Sequence, residues 1–365
     1  MIYYVIFIII CILSLCIQSG DTIEKYDNTL SKKLLSSTSF FIILLLLVVM
    51  AGIRYNVGTD YETYSQVQIP EVLSGMTGRV ELLYQVLIKI GAALGSYQTY
   101  MWIFLLTHLF IIFPIMIAYK QLSNSFLLSM FIFLFSGFYN NSLNMMRQSI
   151  AIALFIFGIR FIIKRKFIQY ITIIIIASLF HSTAILLLPV YFLYNKHISN
   201  KLFMTVAIAI LAFSSLFRQL AFWVSTKMMI YSEYFVNSKY STRPILWSYV
   251  LFNLIVILIL YSVSKYAILE NNQKIQVSFY FKTQVLLELC FLLAPTIPNS
   301  YRLSFYFLPL QGLLTPLILT KLNNRQLKVI VLIVLVLLYI SFFTWTYILQ
   351  NGAGTNPYQT IFQSF

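Results

Sequence analysis

The chain has 365 residues, 60% of them hydrophobic and only 10% charged, whereas soluble domains are roughly half apolar and a quarter charged; a soluble enzyme is excluded. The mean hydropathy of +0.85 and the long charge-free runs indicate one polytopic membrane body, read as a single integral membrane domain over 1–365. Lys and Arg number 25 against 10 Asp and Glu, a net charge of +15. That excess means either nucleic-acid binding or positive-inside topology, and the placement of the charges decides which.

The segment from Met1 to Ser19 has no basic leader and no small-residue cleavage pattern, so it is expected as a retained first span. Leu15 is too large to precede Cys16 in a lipoprotein cleavage box. Cys11, Cys16 and Cys290 stand in apolar runs without metal-ligand or disulfide spacing. Polar interruptions mark apolar spans at 2–18, 38–54, 99–119, 123–139, 146–163, 167–180, 183–195, 202–220, 246–264, 283–297, 303–320 and 329–349. Two of them, 167–180 and 183–195, are short and meet at His181-Ser182-Thr183, as two tilted spans or as a pair of half-helices. The fold class is therefore an all-α polytopic membrane protein with roughly 11–13 transmembrane helices. Residues 55–98 form a first outer loop, in which the amphipathic stretch Glu81 to Leu94 is expected as an interfacial or re-entrant helix. Residues 221–245 form a second, with Trp223, Tyr231, Tyr234 and Tyr240 among Lys227, Glu233, Lys239 and Arg243; a sugar-binding lid and an interfacial aromatic belt both suit it.

Placing both termini outside puts 16 basic residues in or next to the cytoplasm: Lys25, Lys32, Lys33, Lys120, Arg160, Lys164, Arg165, Lys166, Lys196, Lys201, Lys265, Lys274, Lys282, Lys321, Arg325 and Lys328. The nine left outside are Arg54, Arg79, Lys89, Arg147, Arg218, Lys227, Lys239, Arg243 and Arg302. The inner set is lysine-rich, as topology requires, and the outer set is arginine-rich, which topology does not require. A guanidinium fork binds phosphate or carboxylate in a bidentate way, so an outward anion site is the natural reading, and nucleic acid is no longer called for.

Candidate residues follow from local chemistry. Between Arg54 and Tyr64 the chain reads RYNVGTDYETY, in which Gly58 permits a turn that could bring a cation and the Asp60 carboxylate to one pocket. A snorkelling Arg54 with Asp60 as a cap is the plainer alternative. Asn140 to Asn144 reads as a polar outer turn that places Arg147 and Gln148 near the positive start of a helix, or against lipid headgroups. His181, beside Ser182 and Thr183, is either a site residue or a hydrogen-bonded packing histidine. Glu288 stands inside a span and would pair with a buried arginine or serve a relay. Arg302 follows a Pro-broken outer turn, repeating the arrangement at Arg147. The tail from Asn351 to Tyr358 is turn-rich and could fold over the outer face.

Arg54 with Val57-Gly58-Thr59-Asp60-Tyr61 and Tyr64, Glu81-Leu82-Leu83-Tyr84, Met146-Arg147-Gln148-Ser149, Phe180-His181-Ser182-Thr183 and Tyr301-Arg302-Leu303-Ser304-Phe305-Tyr306 occur in one order through the chain. In these motifs the chain resembles the EpsG-type family of Wzy-like bacterial polysaccharide polymerases. The resemblance implies a GT-C-like fold in the bacterial cytoplasmic membrane with an active site facing outward. It implies transfer of a growing glycan from undecaprenyl diphosphate to the non-reducing end of an incoming lipid-linked unit, serving O-antigen, capsule or exopolysaccharide synthesis. Partners would be the lipid-linked oligosaccharide donor and acceptor, a chain-length regulator and other assembly proteins. The site residues carried over are Asp60, Glu81 and His181 as acid/base groups, and Arg54, Arg147, Gln148, Arg302, Tyr61, Tyr64 and Tyr306 as diphosphate or sugar ligands. No outer acidic cluster occurs, so no metal or other cofactor is expected. A transporter or flippase of lipid-linked sugars, a membrane acyltransferase and a glycan ligase are the competing classes; no inverted repeat supports the first.

Overall fold

A hydrocarbon core cannot hydrogen-bond exposed backbone, so long apolar runs must fold as helices. The computed structural model describes residues 2–23, 30–76, 80–95, 99–195, 198–227, 235 and 243–362, and among these residues the regular secondary structure is helical, with two isolated bridges and no strands. Of the residues singled out in the sequence, Lys25, Arg79, Lys196, Tyr231, Glu233, Tyr234, Lys239 and Tyr240 lie outside the described residues. Among the described residues seven helices are long and apolar enough to cross a membrane, or nine when each of two bent pairs is one span. The shorter apolar helices are Ile2–Gln18, Leu82–Leu94, Phe167–Ser178 and Ser182–Tyr194. The protein is thus an all-α polytopic membrane protein, with large side chains such as Phe41, Leu45 and Leu337 turned outward where acyl chains would cover them.

The chain divides into two compact units, residues 1–191 with 339–365, and residues 192–338. In the first, helix Thr99–Leu122 packs against Leu30–Gly52, Leu82–Leu94 and Met146–Ile163. An aromatic cluster ties the first and last helices of this unit together: Phe7 lies 5.4 Å from Phe135 and 5.3 Å from Phe343, and Phe343 stacks on Tyr347 at 5.3 Å. In the second unit, helix Asn271–Leu292 packs against Asn200–Ala212, Trp247–Ser264 and the helices within 300–320. Glu270 caps it through a reciprocal bond with Gln273. Buried amides cross-link this unit, with Gln311 Nε2 donating to Asn253 Oδ1 at 2.8 Å and Gln284 Nε2 to the Phe307 carbonyl at 3.1 Å.

Several sequence-based boundaries are corrected. Span 123–139 is bent by 52° between Phe126–Phe135 and Phe138–Asn144, and span 202–220 by 82° between Asn200–Ala212 and Ser214–Lys227. The second of these carries residues 221–227, including Trp223 and Lys227, in a helix. Asn140 to Asn144 form no polar turn but a buried helix, because their amides find partners inside the fold. Span 283–297 begins instead at Asn271, which places Lys274 and a buried Lys282 within the helix. The pair at His181 resolves into helix Phe167–Ser178, an extended His181 and a 3-10 turn. Both carboxyl oxygens of Glu288 are buried, and among the described residues none donates to them.

The 52° bend depends on Gly137, whose φ of +76° is left-handed and whose Cβ position would fall within 2.0 Å of the Tyr347 ring. Gly137→Ala should therefore lower the unfolding stability in detergent by about 2–4 kcal/mol, summing backbone strain and overpacking. A thermal shift within error of wild type would contradict this account of the bend.

Candidate functional site

Three sequence-distant segments of the first unit meet at one carboxylate. Glu81 is the extended N-cap of helix Leu82–Leu94. Arg147 is the second residue of helix Met146–Ile163, and His181 stands extended before the Ser182–Leu187 turn. Glu81 Oε2 accepts from Arg147 Nη1. Glu81 Oε1 pairs with His181 Nδ1 at 3.1 Å and accepts the Ser182 N–H at 3.2 Å. The Leu83 N–H donates to the Leu179 carbonyl at 3.0 Å, which keeps the two segments side by side. Glu81 and His181 retain 16% side-chain exposure and Arg147 19%, so the cluster is partly desolvated yet reachable. Burial works to raise the Glu81 carboxyl, but the His181 hydrogen bond and the Arg147 charge hold it at about 2 against the usual 4.5. A carboxylate held so low is a weak base, so its role here is to orient Arg147 and His181.

The remaining candidates are placed around or apart from this cluster. Tyr64 is buried in the turn Thr63–Gln68 and packs its ring 6.2 Å from Tyr84. Asp60 is half-buried, with its N–H donating to Asn144 Oδ1 at 3.3 Å. Gln148 is buried one residue beyond Arg147. Arg54 is 1% exposed, and its fork is turned inward: Nη1 donates to the Val57 carbonyl at 2.9 Å and Nη2 to Met146 Sδ at 3.4 Å. Its guanidinium lies 4.7 Å from the Phe104 ring centroid and 5.6 Å from that of Tyr61. Arg54 therefore does not snorkel; its inward-turned fork links the Arg54–Val57 turn to Met146, at the start of the helix that carries Arg147.

Arg302 and Tyr306 belong to the second unit. Arg302 Nε donates to Tyr301 Oη at 3.2 Å, and Tyr306 is buried. Helix Ser300–Ser304 has only five residues, so Arg302 does not repeat the arrangement at Arg147. Arg243 stacks over the ring of the same Tyr301 at 5.3 Å, so two arginines meet one tyrosine, an arrangement no motif in the sequence displays. Its only signal was the arginine excess outside.

The asparagines of helix Phe138–Asn144 bond inward and not to solvent. Asn140 Nδ2 donates to Thr355 Oγ1 at 2.9 Å, Asn141 Nδ2 to Tyr347 Oη at 2.6 Å and Asn144 Nδ2 to the Ala353 carbonyl at 2.8 Å. The tail also pairs along 53–59: Gly58 N–H donates to the Gly354 carbonyl at 2.8 Å, and Tyr55 N–H to that of Gln359 at 3.0 Å. The tail thus folds over the Arg54–Asp60 segment, and Asn144 joins that segment to the end of the helix that precedes Arg147. Among the described residues no three His, Cys, Asp or Glu side chains gather into a metal-binding group.

Fold and site together define a helical membrane protein whose polar centre is built from residues of its polymerase-like motifs. The model of the EpsG family matches residues 37–360, and the chain belongs to this family, which is related to the Wzy-like polymerases. Membership gives it a polysaccharide-polymerase-like role in general. Comparison with curated proteins and with solved structures found no match. The family match runs through the tail as far as Thr360.

The Glu81 shift has a pH consequence. Because the folded carboxyl titrates below its unfolded value, its stabilising contribution is complete above about pH 5 and is lost as pH falls from 4.5 towards 2. Glu81→Gln should be less stable than wild type at pH 6, and the gap should close on acidification in thermal unfolding followed from pH 7 to 3. A gap that does not change with pH would contradict the assignment.

Proposed function

We propose that the protein is a metal-independent glycosyltransferase of polysaccharide polymerisation, working on undecaprenyl-diphosphate-linked repeat units at the outer face of the bacterial cytoplasmic membrane. The observation that supports it best is the half-buried centre in which one carboxylate holds an arginine and a histidine. Departure of a lipid diphosphate concentrates negative charge on its bridging oxygen. A preorganised arginine at the positive start of an 18-residue helix stabilises that charge in the transition state. Glu81 engages Nη1, and a fork of five N–H donors can serve a second anion alongside it.

The acceptor hydroxyl must lose a proton as the glycosidic bond forms. Glu81 fixes Nδ1 of His181 as the donating nitrogen, so Nε2 is the one that takes a proton, and the pair acts as base and orienting group. Asp60, on the loop secured by Asn144, orders the acceptor. Arg302 with Arg243 supplies a cationic centre in its own unit for a second anionic group. Outward placement follows from the lysine-rich connections being cytoplasmic. The polymerase reading carries with it a GT-C-like architecture and partnership with a chain-length regulator and other assembly proteins.

Purified protein given lipid-linked repeat units should produce a ladder of longer glycans on a gel. Arg147→Lys, which keeps the charge and loses the fork, should slow it by roughly a hundredfold or more. A wild-type protein that makes no ladder but moves lipid-linked sugar across liposomes would replace this reading with a transporter. Full activity in Arg147→Lys would remove that residue from the diphosphate site.

A further inference from the structure

The 18 residues of helix Met146–Ile163 span about 27 Å, so its far end lies about one hydrocarbon thickness from Arg147. At that end helices Leu30–Gly52 and Thr99–Leu122 leave an open groove of 190 Å³ between them, lined by Ser37, Phe40, Phe41, Ile117, Lys120 and Gln121. The groove is not used by the polymerase reading. Its lining is chemically one-sided: it contains an ammonium, a hydroxyl and an amide, and no carboxylate.

The amide has a fixed direction. Arg160 Nη1 donates to Gln121 Oε1 at 3.2 Å, which occupies the acceptor end of Gln121 and leaves its NH₂ end to donate elsewhere. Arg160 is itself held in place, with its guanidinium 3.5 Å from the Phe157 ring centroid and 4.8 Å from that of Phe161. Lys120 Nζ lies 5.9 Å from the Phe40 ring centroid, so its charge is kept at the mouth of the groove. Below these donors Phe41 turns outward with 64% exposure, an apolar wall on the side that faces acyl chains. Lys164, Arg165 and Lys166 follow the same end of the Met146 helix and add positive potential.

From this arrangement we propose that the groove is a binding site for an anionic phospholipid. The phosphodiester would sit among Lys120, the Gln121 amide and the Ser37 hydroxyl, with an acyl chain lying along Phe40, Phe41 and Ile117. A zwitterionic lipid fits less well, because its own cation meets Lys120 and Arg160. A soluble phosphate would use the donors and leave the apolar wall uncovered.

The test uses full-length protein purified in detergent and titrated with phosphatidylglycerol, phosphatidylcholine or inorganic phosphate, with bound lipid read by native mass spectrometry and stability by thermal unfolding. Phosphatidylglycerol should bind and stabilise, and the other two should do so much less. Lys120→Gln should weaken the phosphatidylglycerol effect by about fivefold, the share of one cation at a headgroup. Ser37→Ala, a mild change that should leave folding intact, should weaken it in the same direction. Lys265→Gln, with the same loss of charge in the other unit, should leave it unchanged. Equal losses in Lys120→Gln and Lys265→Gln would reduce the effect to general charge and overturn the site. Equal binding of phosphatidylcholine, or saturation by inorganic phosphate alone, would overturn its assignment to an anionic lipid.

Discussion

The carboxylate of Glu81 is the point on which the polar architecture of this protein depends. Within an apolar body, a lone carboxylate, guanidinium or imidazolium is strongly disfavoured by the loss of hydration. One carboxylate with two oxygens answers both side-chain donors, Arg147 through Oε2 and His181 through Oε1, and takes the Ser182 N–H as well. Three helical segments are thereby fixed against one another at their ends, where backbone N–H groups would otherwise lack partners. Pairs of this kind are weak evidence for stability and better evidence for placement, because a well-packed apolar replacement would often be as stable.

The surroundings make that placement rigid. Arg54 reaches from the segment before Asp60 to Met146, adjacent to Arg147. Asn144 accepts from the Asp60 N–H and donates to the tail, and the tail pairs with residues 53–59. Segments more than 200 residues apart in sequence thus share one hydrogen-bonded layer beneath the cluster. Cross-linked layers of this kind hold a constellation to the tolerance that catalysis needs, since a displacement of about 1 Å at a reacting group costs a large part of the rate. The tail is therefore structural support for the site, in keeping with a family match that includes it.

Much of this was legible in the sequence, for reasons that also mark where legibility stopped. Apolar run length gave most of the spans, because hydrocarbon thickness sets a minimum helix length. Arg147 and His181 stand out as polar groups at the borders of such runs, and Glu81 as part of a family motif at the start of an amphipathic stretch. That they share one carboxylate was not visible, since helices 66 and 100 residues apart in sequence supply them. Asn140 to Asn144 looked like a turn because amides in sequence signal exposure; inside, each meets a partner from the last helix or the tail. The bend at Gly137 came from a left-handed glycine beside a tyrosine ring 210 residues later, and Arg54 was drawn inward by Phe104, Tyr61 and a backbone carbonyl, none of which a linear pattern displays.

The central claim is that Glu81 acts through Arg147 and that the two form one functional unit. A double-mutant cycle on glycan transfer tests it most directly, with Glu81→Gln, Arg147→Gln and the double variant compared for the rate of chain extension on lipid-linked units. If the residues act as a unit, each single change slows transfer by roughly a hundredfold and the double variant is little worse than either. Losses that multiply, to roughly ten-thousandfold in the double variant, would show two independent contributions and contradict the account.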